Sequence, residues 1–184
     1  REEISRLAFS DPLTRLPNRT RFCQTVAEEI AHAEGLGSFG IAILDLDNFK
    51  VFNEAYGRPT GDAVIMKFVD RILEASTAKT LARLGSDQFC ILLPAPSDEK
   101  AAIQFAGQLL PLFGRPYKIG EHCHHVTACI GIALYPQHGN SPEELLQNAS
   151  LALDMAKSEG HGNFSTYRSR MHQLSLSRIS QSND

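Results

Sequence analysis

Residues 39–47, FGIAILDLD, decide the fold that this sequence favours. A nearly continuous apolar run of this length is typical of a strand that is buried on both faces in the centre of a sheet. The run ends in two acids, Asp45 and Asp47, and strand periodicity places both side chains on the same face. Burial of paired carboxylates is costly unless a cation or hydrogen-bond donors compensate their charge. The stretch therefore predicts a central strand and a candidate site at its end.

Helical and strand patterns alternate around this strand. Ser97 and Ser141 are the predicted N-caps of two helices, and Pro142 suits a first helical position. Apolar residues recur at helical spacing in residues 21–35, 61–76, 97–113 and 141–160. Strand patterns form a hairpin (TLARL and QFCILLP), a strand pair (RPYKIG and HHVTACIGIALYP) and a short final strand, NFSTY. This order predicts one α+β domain with a ferredoxin-like, mostly antiparallel central sheet flanked by helices.

Composition limits the classes of partner. The 184 residues carry a formal net charge of −3 without long runs of one sign, which gives no electrostatic reason to expect binding to nucleic acid or to an anionic membrane surface. No apolar stretch approaches the roughly 18 residues that a membrane span needs. Four cysteines without a framework spacing favour free thiols and a cytoplasmic location. Because the chain begins at Arg1, we expect a longer protein, and an upstream membrane anchor is compatible with that.

A cluster of soft ligands leaves a second kind of metal site open. The run HCHH at residues 122–125, with Cys129 beyond it, contains the side chains that zinc prefers. Adjacent residues on an extended strand point to opposite faces, and no spaced pair of such ligands occurs elsewhere in the sequence. The pattern therefore favours an ordinary strand over a zinc site.

The turn GSDQ, residues 85–88, supplies another acid. If Asp87 lies beside the acids that end the central strand, hard oxygen ligands from two neighbouring strands form the kind of site that magnesium binds together with substrate phosphates. The alternative is that Asp45 and Asp47 only cap a following helical turn. Both interpretations stay open on residue types alone.

Three further polar residues admit a ligand-binding and a structural interpretation. Asn53 and Asp62 flank a loop with Gly57, Pro59 and Gly61, and such a pair can read the edge of a guanine, since the carboxylate accepts from N1–H and the exocyclic amine while the amide donates. Alternatively, Asp62 is a helix N-cap and Asn53 a turn former. A lysine in the last turn of a helix, Lys157, either complements the helix dipole or reaches a triphosphate.

Taken together, these segments resemble the GGDEF family, the diguanylate cyclase domains of bacterial signalling. DPLTRLPNRTRF is similar to the opening segment of the family, and DLDNFKVFNEAYGRPTGD to its D-x-D-x-F-K-x-x-N-D…G-H-x-x-G-D block. RLGSDQF occupies the place of the R-[YF]-G-G-[DE]-E-F signature. IGIALYPQHG and LLQNASLALDMAKSEG resemble the last strand and helix. The resemblance covers residues 10–167 and is strongest to GGDEF domains that precede an EAL phosphodiesterase domain.

The resemblance implies a fold, a reaction and a set of site residues. The fold would be nucleotidyl-cyclase-like, and the reaction the condensation of two GTP molecules to cyclic di-GMP across a homodimer, with Mg²⁺ or Mn²⁺ as cofactor. The implied metal ligands are Asp45, the backbone carbonyl of Leu46, and Asp87. The implied catalytic residues are Asp87, Gln88 and Lys50, and the implied substrate-binding residues are Asn53, Asp62, Lys157, Gly85 and Ser86.

Several positions depart from the family pattern. Ser86 replaces the second signature glycine, which costs ~1–2 kcal/mol if its backbone is left-handed. Gln88 replaces a glutamate and so removes a charge near the metal and the nucleophile. An outer-shell change at a metal site typically costs about 10–100-fold. The other departures are Glu54, Arg58, Ser150, Asp154 and His161, the last in place of a phosphate-binding arginine.

The sequence thus predicts a degenerate GGDEF domain that binds GTP with magnesium, regulates an adjoining EAL domain and has weak or no cyclase activity. The alternatives are an active diguanylate cyclase and a dimerisation scaffold that binds no nucleotide. Residues 76–79, STAK, lack the R-x-x-D of the family's inhibitory product site, so no such site is expected. Residues 1–9 are expected to end an upstream connecting helix, and residues 168–184 to lead toward a downstream EAL domain.

Overall fold

A five-stranded sheet organises the chain. The computed structural model describes residues 8–33, 37–75, 80–93 and 97–168. The strands of the main sheet are β1 (Phe39–Leu46), β2 (Leu81–Arg83), β3 (Gln88–Leu93), β6 (Ala128–Tyr135) and β7 (Phe164–Thr166), in the order β2-β3-β1-β6-β7. Among the strand pairs of the described residues, only β6–β7 is parallel. Two short strands, β4 (Tyr117–Ile119) and β5 (His122–His124), form a separate hairpin.

Helices cover both faces of the main sheet. They are α1 (Arg19–Ala33), α2 (Phe49–Tyr56), α3 (Arg58–Ala75), α4 (Glu99–Phe113) and α5 (Pro142–Ser158). Side chains of α2, α3 and α4 pack against Ala42 and Leu44 of β1, whereas α1 and α5 pack against Ile41 and Ile43 on the other face. Every residue of β1 is consequently buried, which explains why its apolar run is continuous rather than alternating. The predicted mostly antiparallel α+β sheet is confirmed.

One helix was not predicted, and two predicted helices begin at other residues. Residues 49–56 form the full helix α2, because Phe49 and Phe52, three residues apart, pack on one side of it. Helix α3 begins at Arg58 rather than near Gly61. The N-cap of α4 is Asp98, whose carboxylate accepts from Ala101 N at 2.8 Å, and not Ser97.

The predicted strand pair of RPYKIG and HHVTACIGIALYP divides into two sheets. β4 pairs with β5, while β6 lies in the main sheet because its two edges bond to β1 and β7. The cap Ser141, the first helical residue Pro142, the β2–β3 hairpin and the short final strand are confirmed. Residues 1–7 of the expected upstream helix, the end of the predicted 21–35 helix, residues 76–79 and the tail beyond residue 168 lie outside the described residues, whereas residues 8 and 9 are helical. Within the described ranges, no helix is both long and apolar enough to cross a membrane.

Sheet and helix pack very closely at Gly131 of β6. A Cβ there would overlap the carbonyl oxygen of Ala149 and the backbone nitrogen of Leu153, and would lie 2.7 Å from Leu153 Cα. These are backbone atoms of α5, which cannot move independently of the helix. Because α5 also delivers Lys157 to the end of β1, this contact helps to fix the position of that lysine.

We expect Gly131→Ala to lower the free energy of unfolding by about 1–3 kcal/mol or more, because the added methyl group overpacks a rigid backbone contact. Urea denaturation of both proteins measures the difference. The matched control is Gly107→Ala, since Gly107 is exposed within α4 and a Cβ there meets nothing within 4 Å. That change should instead raise stability by about 0.5–1 kcal/mol through helix propensity. Equal effects of the two substitutions would contradict the packing argument.

Candidate functional site

The predicted metal residues meet at one end of the sheet, where β1 finishes beside the β2–β3 turn. The strand register pairs Asp45 with Gln88 on one side and with Cys129 on the other. Leu46 N donates to the carbonyl oxygen of Asp87 at 3.2 Å, which ties the turn to the strand end. The antiparallel pairing of β1 and β3 thus brings residues 45–46 and 87–88 together, as the sequence predicted.

Asp45 is a buried acid with one committed and one free oxygen. Only 6% of the surface of Asp45 is exposed. Oδ2 accepts from Gln88 Nε2 at 3.0 Å and lies 3.3 Å from Lys157 Nζ. Oδ1 is buried and has no hydrogen-bond partner among the described residues. Burial and the neighbouring Asp87 carboxyl raise the pKa of Asp45 from 3.8 to about 6, although Gln88 and Lys157 act in the opposite direction.

Lys157 belongs to this cluster. It reaches the site from the last turn of α5, and its Nζ also lies 3.9 Å from Asp47 Oδ1. The side chain is 31% exposed, so its ammonium group remains accessible to a ligand. The structure shows the Lys157 amine directed at Asp45 and Asp47. It therefore does more than complement the dipole of its helix.

Asp47 has a different role from Asp45. Its Oδ2 accepts from Thr127 Oγ1 at 2.6 Å and from Gly162 N at 2.9 Å, and His161 Nδ1 lies 3.8 Å away. Asp47 therefore connects the end of β1 to the segment before β6 and to the loop after α5. The suggestion that it caps the next helix was wrong, because Asn48 occupies the N-cap position of α2. Its partners lie 80 and 115 residues away, and no local pattern indicates them.

The guanidinium group of Arg83 hydrogen-bonds the turn of residues 85–88. Arg83 Nε donates to Gly85 O at 2.9 Å, Arg83 Nη2 donates to Ser86 O at 2.6 Å, and Arg83 Nη1 binds Asp11 Oδ2 at 3.0 Å. Burial opposes ionisation of Asp11, but hydrogen bonds from Thr14 and Arg83 still lower the pKa of Asp11. Sequence reasoning assigned no role to Arg83 or Asp11, although both lie inside the segments that carry the family resemblance.

Ser86 is not strained. Among the described residues, the non-glycine positions with positive φ are Arg15 and Asn48, so the conditional cost of a left-handed serine does not apply. Ser86 Oγ donates to Asp87 Oδ1 at 3.2 Å. The substitution therefore adds a hydrogen bond to a predicted metal ligand and a side chain to the turn, and leaves the backbone conformation unstrained.

A groove of about 520 Å³ runs between this turn and the start of α3. Gly85 and Ser86 line it on one side, and Arg58 and Asp62 line it on the other. The side chains of Arg58 and Asp62 make no hydrogen bond or ion pair with any other described residue. The groove thus contains three of the predicted substrate-binding residues, Asp62, Gly85 and Ser86.

Asn53 lies beside helix α3, in a space that exists because residue 61 is a glycine. A Cβ at Gly61 would overlap Asn53 Oδ1, so only glycine leaves room for this amide next to Asp62. Asn53 Oδ1 is buried and has no partner among the described residues. Both structural alternatives were wrong, because Asn53 lies within α2 rather than in a turn, and Asp62 lies within α3 rather than at its N-cap.

The structure does not gather every predicted residue at the site. Lys50 is exposed in the first turn of α2 and takes part in none of the ion pairs found in the described ranges. In the HCHH run, His124 packs edge-on against Phe52 and Tyr56, with ring centroids 5.2 and 4.6 Å apart, while Cys123 is exposed. His124 is thus engaged in an aromatic cluster rather than directed at Cys123.

The strand-end cluster fits a divalent cation. Two carboxylates lie close together, and Asp45 Oδ1 is a buried oxygen that lacks a donor. In the part of the chain that is described, no three His, Cys, Asp or Glu side chains cluster as metal ligands. The protein would therefore supply two carboxylates and a backbone carbonyl and leave other positions to phosphate oxygens or water, as is usual for Mg²⁺.

Residues 8–163 match the family model described as "Diguanylate cyclase, GGDEF domain". The chain belongs to the GGDEF family. It is similar to the bifunctional diguanylate cyclase/cyclic di-GMP phosphodiesterase MucR of Pseudomonas aeruginosa, with 37% identity over 172 residues that cover 92% of this chain and 25% of MucR. It is also 33% identical to the cyclic di-GMP phosphodiesterase PdeR of Escherichia coli, over 94% of this chain and 26% of PdeR.

A solved structure shows the same fold. The GGDEF domain of TpbB (YfiN) from Pseudomonas aeruginosa superposes with a TM-score of 0.86 at 28% identity, covering 91% of this chain and 99% of that one. The present chain spans about a quarter of the length of MucR and PdeR. It is a GGDEF domain of cyclic di-GMP signalling, a family whose members are diguanylate cyclase-type domains.

The pKa of Asp45 predicts a pH-dependent stability of this GGDEF domain. Because the folded-state value of about 6 exceeds 3.8, the folded state keeps a proton that the unfolded chain has lost, so stability falls as pH rises between these values. Asp45→Asn lacks this penalty. With a chelator present, we expect the variant to match the wild type near about pH 4 and to be about 1–3 kcal/mol more stable near about pH 7.5. A stability difference that is the same at both pH values would show that Asp45 titrates normally.

Proposed function

We propose that this GGDEF domain binds GTP together with Mg²⁺ or Mn²⁺ and regulates an adjoining EAL phosphodiesterase domain, with weak or no cyclase activity of its own. The observation that carries the proposal is that some polar side chains of the site have hydrogen-bond partners within the protein and others have none. Those that hold the turn and loops, Asp11, Asp47 and Arg83, each make two or more hydrogen bonds to other described residues. In contrast, Asn53 Oδ1 and Asp45 Oδ1 are buried without a partner among the described residues, and the side chain of Asp62 is uncommitted.

Guanine is the base whose hydrogen-bonding edge matches Asn53 and Asp62. The carboxylate of Asp62 can accept from N1–H and from the exocyclic amine, which are both present only on a guanine edge. The Asn53 amide, held against Gly61, supplies a second polar contact beside it. Because the Asn53 oxygen is packed against Gly61, the amide nitrogen is the group that would donate to an acceptor of the base.

The opposite side of the groove suits phosphates. A Cβ at Gly85 would meet nothing within 4 Å, so the turn is open to a ligand. Asp45, the carbonyl of Leu46 and Asp87 would hold the cation, which when bound neutralises phosphate charge and polarises a phosphoryl oxygen. Lys157, with its partly exposed ammonium group, would contact the phosphates that enter beside these acids.

Two substitutions argue for weak catalysis. Attack by a ribose 3′-hydroxyl on an α-phosphate requires that a nearby group orient the hydroxyl and accept its proton. Gln88 cannot accept a proton, and its amide is occupied by Asp45. His161 lies near Asp47, and its imidazole lacks the pair of parallel N–H donors with which an arginine binds a phosphate in a bidentate manner.

The relatives support a regulatory role beside a phosphodiesterase. MucR and PdeR, of which this chain matches about a quarter, are both named as cyclic di-GMP phosphodiesterases, and MucR also as a cyclase. An active diguanylate cyclase, working as a homodimer, is the second candidate function. The unstrained backbone of Ser86 favours it, because the turn keeps its conformation despite the substitution.

GTP binding depends on Asp62 in this proposal. In calorimetric titrations with GTP and magnesium, we expect Asp62→Ala to abolish detectable binding, because guanine loses its two hydrogen bonds to a charged acceptor. The control is Asp70→Ala, which removes the same charge from an exposed position two turns along α3 and should bind GTP like the wild type. Unchanged affinity in Asp62→Ala would remove the guanine assignment.

Restoring the family residues tests the catalytic part. We expect Ser86→Gly combined with Gln88→Glu to raise the yield of cyclic di-GMP from GTP by about tenfold or more, because the glutamate returns a charge and a proton acceptor. Chromatography of the reaction mixture measures the product. If the double variant still makes no product although it binds GTP, Arg58 and His161 are the remaining defects to correct.

A further inference from the structure

Arg58 and Asp62 have opposite hydrogen-bonding character and line the same side of the groove. They are four residues apart in α3, so their side chains lie about one helical turn apart on one face of that helix. A guanidinium group only donates hydrogen bonds, whereas an ionised carboxylate only accepts them. The groove therefore presents a planar set of donors next to an acceptor, and both groups are free of partners among the described residues.

The stability of α3 does not account for Arg58. Its side chain is exposed, and it is the first residue of the helix, where the positive end of the helix dipole disfavours a cation. A basic residue four positions before an acidic one is also the less favourable order for an ion pair within a helix. Consistent with this, Arg58 and Asp62 form no salt bridge with each other although both are described. The guanidinium group is left available to a ligand in the groove.

The edge of guanine carries groups that match this pair in the same order. Asp62 is proposed to accept from N1–H and from the exocyclic amine. The adjoining part of the same base carries two acceptors, O6 and N7. A guanidinium group binds these two atoms in a bidentate manner, as arginine does when it reads guanine in the major groove of DNA. Adenine instead carries an amine donor beside N7, and that amine would face the donors of Arg58 without an acceptor.

We propose that Arg58 is a specificity-determining residue that binds O6 and N7 of guanine while Asp62 binds N1–H and the exocyclic amine. The inference rests on the proposed function, because it concerns the GTP that this groove takes. Arg58 is one of the departures from the family pattern, so the contact belongs to this chain rather than to the family. The substitutions at Ser86 and Gln88 change the phosphate side of the site, whereas Arg58 adds a contact on the side of the base.

Two nucleotides separate a contact with the base from a contact with the phosphates. GTP and 7-deaza-GTP carry the same triphosphate, N1–H, exocyclic amine and O6, but in 7-deaza-GTP a carbon replaces the N7 acceptor. Each is titrated calorimetrically, with magnesium, into the whole 184-residue chain. We expect the wild type to bind 7-deaza-GTP about tenfold more weakly than GTP, because one hydrogen bond to a charged donor is lost. Arg58→Ala should bind the two nucleotides equally.

Two further variants make the comparison specific. Arg58→Lys keeps the positive charge but lacks the planar fork of donors, so it should also lose the discrimination between the two nucleotides. Lys67→Ala removes one positive charge from an exposed position further along α3 and should keep the wild-type ratio. Because the ratio compares two ligands of one protein, a variant that is merely less stable does not change it.

The outcomes distinguish this inference from the proposed function. A wild-type chain that binds GTP and 7-deaza-GTP equally well would overturn the inference and leave the proposed function in place. The same holds if Arg58→Ala weakens the binding of both nucleotides by one factor and keeps their ratio, since Arg58 would then contact the phosphates. A wild-type chain that binds neither nucleotide would remove the proposed function, and this inference with it.

Discussion

The burial of a carboxylate at the end of a fully buried strand is the constraint on which this site depends. β1 has no exposed face, so water cannot stabilise the charge of Asp45. The chain compensates with a donor from each side, Gln88 from the neighbouring strand and Lys157 from the helix above the sheet. Even so, the pKa of Asp45 rises to about 6. The protein alone therefore stabilises this acid incompletely, and a cation or a phosphate-bearing ligand would complete the cluster.

The two acids that end β1 show how partners, rather than residue type, decide function. Asp47 receives a hydroxyl and a backbone N–H from two distant loops, and so holds the fold together. Asp45 keeps one oxygen without a donor among the described residues. Local sequence pattern gives the two residues the same description, since both end the same apolar run, and only the family resemblance singles out Asp45. The three-dimensional positions of Thr127 and Gly162 separate an acid that joins two loops from one that keeps a buried oxygen without a donor among the described residues.

Local patterns predicted those parts of the fold that depend on short-range physics. The buried strand, the β2–β3 hairpin and the Ser141 cap follow from periodicity, turn composition and side-chain capping. Helix α2 was missed because five of its eight residues are exposed and its apolar pattern is short. The contacts that shape the site, such as Arg83 with Asp11 and Gln88 with Asp45, join residues 72 and 43 positions apart. They depend on strand register and loop packing, which local propensity does not determine.

A degenerate signature alters catalysis and binding to different extents because the two make different demands on the same atoms. Proton transfer needs a group at position 88 that can change its protonation state, and an amide cannot do so at any physiological pH. In the proposed function, binding needs only that the carboxylates be held in place and partly neutralised, and the Gln88 amide holds one of them, Asp45, through its hydrogen bond. Under that proposal, replacing glutamate with glutamine weakens the reaction before it weakens binding. The residues proposed to bind guanine, Asn53 and Asp62, lie on two helices away from position 88, so the substitution does not change them.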